Sequence, residues 1–530
     1  MDTVESKEVA TSHVDDAYVA KQSMVMDGNG RWWNWRVIAN RESTRPSVPP
    51  STQSGFDHPS LTCFVLQVVI VGLAMGLFGY DNAFASPLVS LPLFVERYQG
   101  PGFQGALVFS ARNLSLIICI PLVGAACGAF AAIPVQKHLG RKGAYILAYS
   151  LLCVPSSILQ VFAPNLGALV VGRFANYVGV SILTNVCPVY LSELIPANFR
   201  ARAVGFTVAG SGVLSVVATV VVWATEKRRD QWQYKIPLLV QAVFPATLAL
   251  LSLLLTESPV WLLAKGRHDD ARRNLLLLRG GNAALVEKEL ALAAAALKSH
   301  SEQVNVNVWE ILKPANLERT ISASAPLCLS QVGGQILVLT YSTVILVQSG
   351  VADPFKITII IFLLQFLGTL IGPFLLDKIG RRPVALAGFV VLFAIDVVCG
   401  ALACAGLATQ SQRIGLAALC IVFSFINATC FQSIAYVLPT EVPTSRLRES
   451  TMAWTTFWSY TTAIITTFAV PQITNADAAN LGAKAFLIFG GCMLITLVWS
   501  YFYLPETSNR TLAEIDELYA ERIAKRHWKG

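Results

Sequence analysis

From Leu61 onward the chain alternates long apolar stretches with short polar ones. Apolar windows fall near 61–82, 111–133, 143–163, 166–189, 203–224 and 235–257, and again near 321–347, 357–376, 384–405, 413–438, 450–472 and 484–504. Each is long enough, at about 1.5 Å per helical residue, to cross a hydrocarbon core of about 30 Å. The pattern predicts an all-α membrane protein of twelve transmembrane helices in two six-helix halves, 61–257 and 321–504. Between them, 258–320 carries charges that cannot sit in hydrocarbon. Its DDARRNLLLLRGG offers acidic caps and a glycine stop, and EKELALAAAALK is a strong helix former, so it reads as a cytoplasmic helical linker. Residues 1–60 and 505–530 form polar tails, the second opening with TLAE, 511–514, a capping-box pattern.

Composition agrees. Apolar residues make up 54% of the 530, charged residues only 14%, and the mean hydropathy of +0.56 is too high for a soluble globule. An even number of spans puts both termini on one side. That side also holds the loops around Arg141, Lys142, Arg200, Arg202, Arg381, Arg382, Arg446 and Arg448, which makes it the cytoplasm. The net charge of +8 and pI of 8.9 thus report topology and call for no nucleic acid. EKRRD, 226–230, is the exception: either it is a basic cluster on the outer side or a boundary of the fifth or sixth span is misplaced.

All eleven cysteines fall inside the expected spans, with no CxxC pair and no histidine in any span, which points to neither a disulfide framework nor a metal site. The tail ahead of the first span lacks the apolar core of a signal peptide, so the first span is expected to serve as the targeting signal. Within that tail, RWWNWR at 31–36 fits an interfacial anchor or a stray aromatic cluster equally well.

The halves repeat one another. LGRKGA at 139–144 returns as IGRRPV at 379–384, and Glu193 with Arg200 returns as Glu441 with Arg448. Duplicated six-helix halves around a central site are a common plan of secondary transporters. One acid, Asp81 in GLFGYDNAFASP, ends a run with hardly a polar side chain. An ionised Asp at the bilayer centre costs about 2.5–3.5 kcal/mol on insertion scales, so an intramembrane acid marks function by default. The bland alternative is an acid at the outer helix end touching headgroups, which the apolar continuation AFASPLVSLPLF opposes.

GYD at 79–81, GR at 172–173, PVYLSELIPANFRARAVG at 188–205, ESPVWLLAKGR at 257–267, DKIGRRP at 377–383, EVPTSRLR at 441–448 and LPET at 504–507 stand in one order along the chain. Together they resemble the sugar porter family of the major facilitator superfamily, and YSTVILVQSG at 341–350 is most similar to its fungal branch of sugar and α-glucoside permeases. The resemblance spans about residues 60–520. It implies that Asp81 is the proton-coupling acid and Arg173 the cation that holds it ionised; burial disfavours a carboxylate and a nearby cation favours it. It implies a cytoplasmic gate built from Arg141, Glu193, Arg200, Asp377, Arg381, Arg382, Glu441 and Arg448. Lys137 stands where the family has Asp, which weakens the first-half latch.

Aligned on Tyr341, the family's substrate positions fall on Gln331, Gln335, Ile336, Tyr341, Gln432, Tyr436 and Val208. Ile336 and Val208 replace amides, so the sugar contacts are thinned. The leading expectation is proton-coupled symport of a sugar or glycoside by alternating access, at the plasma membrane, with the proton as coupling ion, no other cofactor and no protein partner beyond the bilayer. Transport of a non-sugar metabolite and non-transporting sugar sensing are the alternatives, the second disfavoured by a tail of only 25 residues after Pro505. No nucleophile–base or metal set suggests an enzyme.

Overall fold

The computed structural model describes residues 24–26, 32–34, 58–99, 108–195, 200–303, 308–444, 447–508, 510, 512–521, 523 and 525–528. Two units result, 1–57 and 58–530. In the first, Met24–Met26 and Trp32–Asn34 pair as an antiparallel ribbon in which Val25 faces Trp33. RWWNWR thus contributes a short strand, which the apolar pattern did not predict.

The second unit is helical. Its long helices are numbered here α1 (His58–Ala83), α2 (111–139), α3 (141–161), α4 (Leu166–Leu194), α5 (Arg200–Thr225), α6 (Trp232–Ser252), α7 (314–348), α8 (Pro354–Ile379), α9 (Arg381–Cys404), α10 (410–441), α11 (Arg448–Thr474) and α12 (Phe486–Tyr503). Ten segments among the described residues are apolar and long enough to cross by themselves. One of these, Ala111–Val161, turns at Gly140 (φ 80°) into α2 and α3, and the threonine-rich α11 runs 27 residues beside them, so each expected pass has a helix. EKRRD lies in the turn between α5 and α6, outside both helices, and α6 ends at Ser252, five residues before the expected boundary.

Small residues set the closest helix contacts. Gly124 and Gly128 of α2 lie on the backbone of α4, and Gly368 and Gly372 of α8 lie on α10; any Cβ there would strike a neighbouring carbonyl or side chain. Gly-x-x-x-Gly spacing suits a membrane, where helices gain by packing rather than by hydrophobic burial. The repeat seen in sequence is therefore a repeat of packing.

α7 does not run straight. Gly333 (φ −87°, ψ 35°) and Gly334 (φ 85°, ψ −12°) break it, and 331–340 is wound as a π-helix. Gly334 takes a left-handed backbone that a Cβ would strain. Between the halves and the membrane edge, the 258–320 stretch folds as helices Pro259–Ala264, His268–Leu278 and Ala283–Gln303, and the C-terminal tail as Leu512–Ala520. The tail docks through Arg319 to Asp516 and Lys525 to Glu318. Burial holds the Lys525 ammonium below its usual range. Thr511, the expected cap residue, lies outside the described residues.

Candidate functional site

Asp81 lies near the end of α1 yet is fully enclosed, because Ala85–Val89, entirely buried, continues the chain over it. The headgroup alternative is thereby removed. Its Oδ2 accepts from Asn176 Nδ2 of α4 and its Oδ1 from Gln241 Nε2 of α6, both at 2.7 Å. The Tyr177 hydroxyl donates to the Asp81 carbonyl at 2.9 Å.

Arg173 is buried in the same nest but makes no direct ion pair with Asp81, so it stands there as a nearby cation rather than a bonded partner. The two amides already occupy both carboxylate oxygens. The guanidinium turns instead to α2, where Nε donates to the Ile117 carbonyl at 3.1 Å, and lies 5.3 Å from the Phe84 ring centroid and 5.7 Å from that of Tyr177. A carboxyl held by neutral amides can take or release a proton without breaking a salt bridge.

The candidate cargo residues divide. Gln331, Gln335 and Gln432 are half-buried within the helices, where an amide suits a polar path better than lipid. Ile336 is buried in the main core beside Leu337 and Val338, so it packs rather than lines open space; the break two residues earlier turns its face inward. Tyr341 is also enclosed, its hydroxyl donating to the Thr467 carbonyl of α11 at 2.8 Å. Val208 is 39% exposed. Tyr436 lies on α10 with its side chain outside the described residues.

At the ends that carry the Gly-Arg motifs the two halves hold the same clamp. Arg141 pairs with Glu193 at 2.7 Å, and Glu257 Oε1 accepts from the backbone N–H groups of Arg141 and Ser258 at 2.8 Å and of Lys142 at 3.3 Å. Arg381 pairs with Glu441 at 3.0 Å, and Glu506 accepts from the N–H groups of Arg381 (3.0 Å), Arg382 (2.9 Å) and Ser508 (2.9 Å). Thr507 also donates to Glu441 at 2.5 Å.

These distances explain the Gly-Arg motif. Gly140 (φ 80°) and Gly380 (φ 108°) turn the chain in the left-handed region, and a Cβ on either would meet the carboxylate of Glu257 or Glu506. Each acid thus caps the N-terminus of α3 or α9 from across its half, where an anion is favoured.

Expected partners shift accordingly. Glu441 engages Arg381 rather than Arg448, whose buried Nε has no hydrogen-bond partner. The Arg200 side chain lies outside the described residues. Asp377 adds a 3.2 Å bond to Arg381, whereas Lys137 gives Arg141 no such acid, and the clamps are unequal as expected. Arg382 donates to the Lys525 and Tyr501 carbonyls and so ties the tail to α12.

Four residues in these sites were not singled out from the sequence: Asn176, Gln241, Glu257 and Glu506. The last two stood inside quoted motifs, 249 positions apart, close to the spacing of the other repeats. Asn176 follows Arg173 by one helical turn, a usable signal; Gln241 carried none beyond being an amide in an apolar span.

Hydrogen bonds between the halves gather toward the end opposite the clamps. Asp477 accepts from the Ala111 N–H at 2.9 and 3.1 Å, Asn475 Nδ2 donates to the Phe109 carbonyl at 3.0 Å, and the Thr343 N–H donates to Ser86 Oγ at 3.2 Å. Deeper, Ser115 Oγ donates to the Phe468 carbonyl at 3.3 Å. The clamps at the cytoplasmic ends each stay within one half.

Comparison with known proteins places these features. The family profile described as "Sugar (and other) transporter" matches residues 65–519. The Major facilitator-type transporter ecdD of Aspergillus rugulosus is 28% identical over 84% of this chain and 85% of its own length. The High glucose sensor RGT2 of Saccharomyces cerevisiae is 25% identical over 86% of this chain, which spans only 60% of the sensor. Among solved structures, the inward open conformation of the xylose transporter XylE from E. coli superposes with a TM-score of 0.69 at 18% identity, over 86% of this chain and 99% of that one, a likeness of fold.

Proposed function

The chain belongs to the sugar (and other) transporter family, and from that premise we propose that it is a proton-coupled symporter of a sugar or glycoside, working by alternating access at the plasma membrane. The observation that carries the coupling is Asp81: an enclosed carboxyl, bonded at both oxygens by neutral amides of two other helices. Burying a charge needs a compensating function or a full ion pair, and Asp81 has no full ion pair. Its amides come from α4 and α6, so a shift of α1 against those helices changes its bonds and its hold on a proton.

Gln331, Gln335 and Gln432 supply amide donors and acceptors for hydroxyl groups, with Arg173 and Asp81 outside the cargo path. Val208, an exposed apolar side chain where the resemblance expects an amide, favours a cargo with an apolar portion: a glycoside first, a non-sugar metabolite second. The test is uptake of a panel of labelled mono-, di- and glycosides, with several non-sugar metabolites, in cells lacking their own transporters, with and without a protonophore. Concentrative uptake of a sugar or glycoside that the protonophore abolishes is expected. Uptake that only equilibrates would refute the coupling, and uptake of the non-sugar set alone would refute the cargo.

A further inference from the structure

The C-terminal half encloses an acid of its own. Asp396, midway along α9, is fully buried, and neither of its carboxyl oxygens has a hydrogen-bond partner among the described residues. It lies against the break of α7: a side chain added at Gly334 would stand 3.1 and 3.3 Å from its two oxygens. Phe423 and Phe431 of α10 flank the same break, at Gly334 and Gly333 respectively. Between them on α10 is Asn427, buried, with an unpartnered Nδ2; Gln335, the residue after the break, has a buried unpartnered Oε1. Gly490 of α12 packs on the Asp396 Cβ.

No cation faces this acid. On its own helix the titratable neighbour is Cys399, on α12 it is Cys492, and on α10 Cys420 stands behind Cys399. Segment 331–340 of α7 holds no titratable side chain. The charges of the other helices in this half lie at their ends: Arg319 and Glu318 on α7, Lys356, Asp377 and Lys378 on α8, Arg381 and Arg382 on α9, Arg413 and Glu441 on α10, Arg448 and Glu449 on α11. A lone carboxylate in such surroundings is costly enough that the neutral acid is the stable form.

We infer that Asp396 is a second protonation site, carried here as the neutral acid, that positions the hinge of α7 at Gly333–Gly334. The two protonation states ask different things of the same segment. A neutral acid has one O–H to donate and suits a carbonyl freed by a broken helix; a carboxylate accepts only, and calls for N–H donors such as Asn427 Nδ2 and the freed amides. Gain or loss of the proton, exchanged with water through whichever side is open, therefore favours different bends of α7. Gln331 and Gln335 ride on that bend, so the site acts on cargo through them and not by contact. The inference deepens the proposed symport but is tested without cargo or a proton gradient.

Two measurements on the full chain reconstituted in nanodiscs decide it. In infrared spectra taken above the titration range of exposed carboxyls, a carboxylic-acid C=O band should persist in Asp81→Asn and vanish when Asp396→Asn is added to it. Its absence from Asp81→Asn overturns the inference even if the Asp396 variant does not fold. In hydrogen–deuterium exchange corrected for intrinsic rates, protection of 331–340 should fall severalfold in the wild type as pH rises and stay flat in Asp396→Asn. A purely structural acid would leave the two pH profiles parallel, and that result refutes the hinge role. Loss of pH-driven accumulation is a separate readout, so failure of the symport reading would show there alone.

Discussion

Replacing Asp81 by Asn separates coupling from folding, and the geometry sets the size of each effect. Both carboxylate oxygens accept from amide donors, Asn176 Nδ2 and Gln241 Nε2. The substituted amide keeps one acceptor and presents its NH2 to the other donor. Gln241 relieves that conflict by turning over, because its Oε1 is buried and without a partner. Two charge-assisted bonds of about 1.5–3 kcal/mol then become two neutral ones of about 0.5–1.5. The fold should lose about 1–3 kcal/mol, a tolerable amount. The variant cannot carry a proton. A pH difference of one unit is worth about 1.4 kcal/mol per proton, or tenfold in concentration. In proteoliposomes with that gradient the wild type should approach tenfold accumulation of its cargo and Asp81→Asn should stop at the external concentration, while counterflow exchange persists in both. If Asp81→Asn still concentrates cargo, the proton is carried elsewhere and Asp81 is structural.

Arg173→Lys should be far from conservative: the ammonium loses the planar contact with Phe84 and Tyr177, and thermal unfolding should show a loss of about 1–3 kcal/mol; a wild-type melting curve would contradict this. Glu506→Gln should cost about 1–3 kcal/mol by leaving a backbone N–H of Arg381, Arg382 or Ser508 unsatisfied, and Glu257→Gln a similar amount; unchanged melting in both would mean the caps are replaced by water. Lys137→Asp places an acid one turn before Arg141, as Asp377 stands to Arg381, and should stabilise the closed cytoplasmic side, with Asp377→Asn acting in reverse. Asp377 is 76% exposed, so its effect should stay below about 1 kcal/mol; equal labelling of cytoplasmic cysteines in both variants would leave these charges to topology alone. Asn475→Ala with Asp477→Ala removes two outer contacts between the halves and should favour the outward-open state by about 1–2 kcal/mol, a factor of about 5–30, read as faster labelling of a cysteine placed at Ser342.

The fold was legible because hydropathy and charge act over whole spans: twenty apolar residues demand a helix wherever they fall. The gate was legible in part. Gly140-Arg141 and Gly380-Arg381 announced themselves by repetition, and Glu193 and Glu441 stood among the expected gate residues, but which arginine each acid would meet was not legible, since Glu441 and Arg381 are neighbours only in space. The Asp81 nest shows the same limit: the acid was conspicuous and its partners Asn176 and Gln241 were not, because amides in apolar spans look alike until packing aims them. Asp396 went unremarked because VVLFAIDVVCG lacked a motif to frame it. Ile336 was placed by alignment on Tyr341, and alignment gives a position without its surroundings; here that side chain is buried just after the break at Gly333–Gly334.

The distribution of polar contacts fixes how such a molecule can move. Each clamp, Glu193–Arg141–Glu257 and Glu441–Arg381–Glu506, joins helix ends within one half, so neither bridges the halves and each acts on the gate only by setting the positions of its own helix ends. The bonds that must break include those of Ser86, Phe109 and Ala111 with Thr343, Asn475 and Asp477 and, deeper, that of Ser115 with Phe468; the first two are buried and the Ala111–Asp477 bond is partly exposed. The Asp81 bonds run from α1 to α4 and α6 inside the first half, and Asp396 stands against the one helix of the second half that is broken. Rocking of rigid halves would therefore leave both acids untouched; any coupling of protons to transport requires α1 and α7 to bend within their halves, and only α7 carries a break at the level of its acid.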